Sequence, residues 1–212
     1  MKILKKFYSK KNFVCLLEDN QTMAVYKLFS DRENYLKEKN YYQVFHDTNL
    51  AVPALLASKN EDCSILLEYL NDETALDCLE FYEKYHDLDK ASELLISIFQ
   101  WLESFHQLDV IKSKNLSFYD MNLRNFILLN TVVYGVDFES IQKGDLLSDT
   151  AKLIGMYLNY DEKYSSFKLE TVARFKHFIE KEGCFETDTL EKTISTEIVA
   201  INDRRNLKTN MI

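Results

Sequence analysis

Asp120 and Asn125 stand five residues apart within the stretch S-F-Y-D-M-N-L-R-N-F-I-L-L-N-T-V-V-Y-G-V-D-F-E, Ser117 to Glu139. That spacing suits a loop closing on itself rather than one helical face. Phe126 to Leu129 is a short apolar run, Asn130-Thr131 can turn the chain, and Val132 to Val136 is rich in β-branched residues, a strand signal. Asp137 follows at the end of that second run. A hairpin here brings Asp120, Asn125 and Asp137 to one mouth. Two carboxylates and an amide oxygen form a hard oxygen site, the kind Mg²⁺ takes together with substrate phosphates.

The elements that must position these groups can be read in order. Ile3 to Tyr8, Phe13 to Leu17 and Met23 to Phe29 alternate with turns at Lys10-Lys11-Asn12 and Glu18 to Gln21, which predicts a small antiparallel sheet. Ser30 to Phe45 reads as a helix, with Ser30 or Asp31 as N-cap and Glu33 in its first turn. Leu50 to Leu56 holds the only proline, Pro53, and reads as an edge strand or loop. Ser64 to Leu70 is an apolar strand, followed by the helix-start signal N-D-E-T. Thr74 to Tyr85 and Leu88 to Val110 are helical by period. In the second, Leu94, Leu95, Ile98, Trp101, Leu102 and Phe105 form a buried stripe. Trp101 is therefore expected in the core, and His106 is expected to be structural. Asp149 is expected to cap a helix in which Lys152 to Leu158 buries one face. Leu169 to Glu182 and Leu190 to Ile201 complete the helices.

Composition limits the function classes. The chain has 212 residues, enough for one or two small lobes around a sizeable core. Its net charge of -8 argues against broad nucleic-acid binding, which needs clustered Lys and Arg. No run of membrane-spanning length is present, so no membrane span is expected. The opening M-K-I-L-K-K-F-Y-S-K-K lacks the apolar core of a signal peptide, so export is not expected. Cys15, Cys63, Cys78 and Cys184 show no paired spacing and read as thiols of a reducing, cytoplasmic compartment. Oligomeric state is not legible.

The Asp-x-x-x-x-Asn loop, the hairpin and the Asp-Phe-Glu that ends it resemble the catalytic and metal loops of the protein-kinase-like superfamily. The nearer likeness is to its small-molecule branch, the aminoglycoside phosphotransferases and choline kinases. Phe118 and Tyr119 stand where that family has its loop histidine and glycine. The resemblance implies an α+β, two-lobed protein-kinase-like fold: a nucleotide-binding lobe over residues 1–70, with a small antiparallel sheet and one helix, and a mostly helical catalytic and acceptor-binding lobe over 71–212. It implies ATP and Mg²⁺, with a small hydroxyl compound (sugar, aminoglycoside or amino-alcohol) as acceptor. The net negative charge suits a cationic or neutral acceptor.

By the same resemblance Asp120 is the catalytic base, and Asn125 and Asp137 hold Mg²⁺. Arg124 is expected, from its position in the loop alone, to steady the γ-phosphate. Lys27, in Val25-Tyr26-Lys27-Leu28, contacts the α and β phosphates and pairs with a helix glutamate, Glu38 or its rival Glu33. Backbone groups of Glu68, Tyr69 and Leu70 meet the adenine edge. Asp149 braces the loop backbone. The chain lacks a glycine-rich loop, which Lys10-Lys11-Asn12 replaces. It also lacks an Ala-Pro-Glu motif and a long activation segment, which argues against a typical protein kinase. A pseudokinase-like binding module, a small atypical protein kinase and a plain α+β interaction domain are the alternatives.

Overall fold

Three strands open the chain, β1 (Lys2–Phe7), β2 (Phe13–Asp19) and β3 (Thr22–Leu28), followed by helix α1 (Arg32–His46). The computed structural model describes residues 2–20, 22–70 and 73–209; Gln21 of the second turn and Asn71-Asp72 of the helix-start signal lie outside them. Strands β4 (Leu55–Lys59) and β5 (Ser64–Glu68) complete an antiparallel sheet of order β1-β2-β3-β5-β4. The register sets Val14, Lys27 and Ile65 side by side, and Val25 beside Leu67. Residues directly opposite in an antiparallel ladder share a face, so Lys27 projects from the same face as these apolar side chains. At one edge, β1 is exposed along almost its whole length and carries Lys2, Lys5 and Lys6 around Ile3 and Leu4.

Asp31 is the N-cap of α1 and accepts from the Asn34 N–H at 2.8 Å. The buried residues of α1 are Tyr35, Glu38, Tyr42 and Phe45. Their spacing of three and four places them on one stripe. Pro53 lies in the irregular run before β4, and β4 reaches further along the chain than the stretch expected from sequence.

Helix α2 (Ala75–Lys84) starts at a capping box formed by Thr74 and Asp77. The long helix α3 (Leu88–Gln107) lies at the centre of the core, with Leu95, Ile98, Phe99, Leu102 and Phe105 fully buried. Trp101 is a core residue, as expected, and its Nε1–H donates to the Ala51 carbonyl at 2.8 Å. The helix does not run on to Val110. Leu108 is extended (φ -61°, ψ 131°) and a short helix α4 (Asp109–Lys112) restarts beyond it, which turns Ile111 into the core. No glycine or proline marks this break in the sequence.

The next strands are short: β6 (Leu116–Ser117), β7 (Phe126–Leu129), β8 (Val132–Gly135) and β9 (Gln142–Lys143). β7 and β8 form the expected hairpin, and its two turn residues, Asn130 (φ 48°) and Thr131 (φ 72°), are both left-handed. That matches the twist of a two-residue hairpin. Gly135 is required by contact, because a Cβ there would stand 2.2 Å from the Trp101 ring.

Helices α5 (Leu146–Leu158), α6 (Ser166–Glu182) and α7 (Thr187–Thr209) follow. α5 is buried on nearly every side, Asp149 and Lys152 included, rather than on one face. Its N-cap is Asp145, in a capping box with Ser148. Asp149, expected as the cap, lies inside the first turn and faces another task. The chain is thus α+β, a five-stranded antiparallel sheet followed by a mostly helical remainder. Among the described residues no helix is long and apolar enough to cross a membrane. All four cysteines are free thiols.

Candidate functional site

A cleft of about 970 Å³ runs between the sheet and the helical part. It is lined by Lys27 and Glu38, by Glu68, Tyr69 and Leu70, and by Asp120, Arg124, Asn125 and Asp137. These are all the site residues expected from sequence, drawn from segments more than 100 residues apart.

The centre of the site is Lys27. Its Nζ lies 2.8 Å from Glu38 and 2.7 Å from Asp137, with Glu139 at 4.0 Å. Glu38, on the buried stripe of α1, is the partner, and the exposed Glu33 is not. Only Phe29, Ser30 and Asp31 separate β3 from α1, so an interval of 11 residues is long enough. Burial alone would depress the Lys27 ammonium, but Glu38 and Asp137 outweigh it and hold the group above its ordinary value. Burial pushes the Glu38 carboxyl up to about 8, against the pull of Lys27. Oxygens of Glu38, Asp137 and Glu139 lie within 4.8 Å of one another.

The Asp120 loop is closed by its own hydrogen bonds. Asn125 Nδ2 donates to the Asp120 carbonyl at 3.1 Å. That leaves the side-chain oxygen Oδ1 of Asn125, distinct from its main-chain carbonyl, as the acceptor for a ligand. The Asn122 N–H reaches Asp120 Oδ1 at 3.3 Å, and Asn122 Oδ1 accepts from the Arg124 N–H and the Tyr160 hydroxyl. Burial raises the Asp120 carboxyl above its ordinary value, and the negative Asp137 nearby raises it further. The β7–β8 hairpin then returns the chain, with the Val136 N–H donating to the Asn125 carbonyl at 2.9 Å. Asp137 follows in a left-handed conformation (φ 68°, ψ 70°), which points to a conformation enforced by its surroundings.

Asp149 braces the loop from below. Fully buried, it accepts from the Ser117 hydroxyl and from the Phe118 and Tyr119 N–H groups at 2.8 and 3.1 Å, and His106 Nε2 lies 2.9 Å away. His106 is structural, as expected. Phe118 is fully buried, ring to ring with Trp101, Phe105, Phe126 and Phe138. Phe138 in turn meets Tyr42 and Phe45 of α1 at centroid distances of 4.9 and 5.0 Å. An aromatic column therefore joins α1 to the loop and to α3.

The Glu68 N–H is already committed to the Ala54 carbonyl at 2.9 Å, so that donor is not open to a ligand at this end of the cleft. Glu139, for which the sequence suggested no role, fastens the β1–β2 turn: Asn12 Nδ2 donates to it at 2.9 Å and Lys11 lies 3.5 Å away. Its carbonyl also accepts from Lys37 at 2.7 Å. The only trace of this in sequence is an acid two residues after Asp137.

Chemically, the cleft offers a half-buried carboxyl raised above its ordinary value, a fixed ammonium between carboxylates, and an amide oxygen and a carboxylate suited to a hard cation. No protein-family model matches the chain, and no curated protein matches it.

Proposed function

We propose that the chain is an ATP- and Mg²⁺-dependent phosphotransferase that moves the γ-phosphate to a hydroxyl of a small acceptor. One observation carries this reading: Lys27 with Glu38, Asp120 with Asn125, and Asp137 converge on one cleft. A structural role explains any one of these groups, but not the set.

In this reading Lys27, held by Glu38, neutralises nucleotide phosphate charge. Asn125 and Asp137 would hold Mg²⁺, which when bound neutralises charge on the phosphates. The donor set fits, because the Asn125 amide oxygen is left over and Asp137 is the most exposed of the clustered carboxylates, at 37%. Asp120 takes the proton of the acceptor hydroxyl, and its raised carboxyl brings it nearer the working pH of a general base. Arg124, exposed on the loop, steadies the transferring group. Tyr119 stands where the resembling family has glycine and is itself left-handed (φ 70°), so the loop geometry survives the replacement. The reading places the protein in the cytoplasm, and a small atypical protein kinase uses the same groups.

One observation favours a second reading, a pseudokinase-like binding module. Lys27 lies directly on Asp137, the oxygen a metal would need, and Glu139 clasps the turn over the cleft. Thermal unfolding with and without ATP and Mg²⁺, on wild type and Asp137→Ala, separates the two. Ligand at about 100 times its Kd adds roughly 2.7 kcal/mol, on the order of 5–10 °C in Tm for a chain of this size. The phosphotransferase reading expects a shift that needs Mg²⁺ and vanishes in Asp137→Ala, together with ADP release when an acceptor is supplied. No shift in wild type overturns it.

A further inference from the structure

One cation of the cleft has no task in that mechanism. Lys152 is 9% exposed, in the middle of a helix buried on nearly every side, yet it lines the cleft. Its ammonium sits 4.3 Å from the centroid of the Tyr119 ring, the residue before Asp120. Its nearest carboxylate, Glu197 of α7, is 4.0 Å away, beyond hydrogen-bond reach. Among the described residues it makes no hydrogen bond. The long ion pair with Glu197 and the Tyr119 ring compensate this buried ammonium only in part, and a further negative group would complete its shell.

The surroundings say which group that is. Met156, one turn along α5, and Ile201 of α7 line the cleft beside Lys152 and supply no charge. The clustered acids Glu38, Asp137 and Glu139 are gathered around Lys27 instead. Arg124 also lines the cleft, exposed and without an ion pair among the described residues.

We propose that the Lys152 end of the cleft is the acceptor subsite, and that the acceptor carries an anionic group, a phosphate or a carboxylate, held by Lys152 over Tyr119. This rests on the phosphotransferase reading and reverses the cationic or neutral acceptor that net charge suggested. The acceptor hydroxyl oxygen forms its bond to the γ-phosphorus as the bond from that phosphorus to the β–γ bridging oxygen breaks. The hydroxyl proton passes to Asp120, and ADP leaves.

The test uses the full chain, as wild type, Lys152→Met and Glu197→Gln. Calorimetry measures binding of inorganic phosphate and of acetate, and thermal unfolding measures the ATP·Mg²⁺ shift in each protein. The expected result is anion binding weakened at least tenfold in Lys152→Met, retained in Glu197→Gln, with the ATP·Mg²⁺ shift equal in all three. Phosphate binding without acetate binding assigns a phosphoryl acceptor, and the reverse assigns a carboxylate. Anion binding unchanged in Lys152→Met overturns the proposal. So does equal loss in Glu197→Gln, which would make Lys152 a pin between α5 and α7. ADP release with ethanolamine but not with glycerol 3-phosphate or glycerate would also overturn it. If wild type shows no ATP·Mg²⁺ shift while anion binding still requires Lys152, the nucleotide reading fails and the anion site stands.

Discussion

Asp120 carries its raised carboxyl through burial and the field of Asp137. A raised folded-state value means that the native chain holds a proton at pH values where the unfolded chain has lost it. That contribution is present below the unfolded value and is lost as pH rises through the folded one. Asp120→Asn is therefore expected to have the higher Tm at neutral pH, with the gap narrowing as pH falls into the ordinary carboxylate range. On the phosphotransferase reading, the same variant should lower kcat by roughly 10²–10⁴-fold with little change in KM for ATP. In wild type, kcat should fall on the acid side at a pH above that of an unperturbed aspartate. Lys27 gives a complementary case. Lys27→Met leaves Glu38 buried against Asp137 and Glu139, a loss of about 3–5 kcal/mol in urea unfolding. Adding Glu38→Leu should recover most of it, because the buried charge is then gone.

At the scale of elements, the Asp120 loop depends on a helix remote in sequence. Asp149→Asn would set an amide where a carboxylate now accepts from Ser117, Phe118 and Tyr119. A cost of roughly 2–4 kcal/mol is expected in urea unfolding, with kcat reduced more than KM for ATP. Much of this level was legible in the sequence. The hairpin followed from its β-branched run and the Asn130-Thr131 turn, and α3 from its apolar period. Glu38 was legible only beside its rival Glu33, and the buried stripe it shares with Tyr35, Tyr42 and Phe45 decides between them. Other features left no local trace. Asp145 and Asp149 compete for one cap, and only β6, pairing with β9, brings the loop to Asp149. The break at Leu108 answers the needs of the core, and β4 is an edge strand with exposed side chains and no amphipathic pattern. The burial of Lys152 inside an apolar helix follows only from the tertiary packing that encloses it.

For the whole molecule, the contacts of Glu139 tie the β1–β2 turn to the segment that follows Asp137 across the cleft. Asn12 is held at both ends, donating to Glu139 and accepting from the Ser30 N–H at 3.2 Å. Asn12→Ala should destabilise the closed β1–β2 turn by ~1–2 kcal/mol, a factor of about 5–30 in the open population. Amide exchange over residues 8–12 should quicken by that factor, and nucleotide dissociation with it. The aromatic column from Tyr42 through Phe138 to Phe118 is left intact by this change, so the core amides of α3 should keep their protection.

The free edge at β1 bears on how the protein behaves in a crowd of its own copies. β1 pairs with β2 on one side only, and as an edge strand with Ile3 and Leu4 exposed it turns its outer side to neighbouring chains. Lys2, Lys5 and Lys6 interrupt that offer, since two such edges brought together would stack like charges along the seam. Lys5 and Lys6, which also border the cleft, thereby keep this strand from templating sheet growth between molecules.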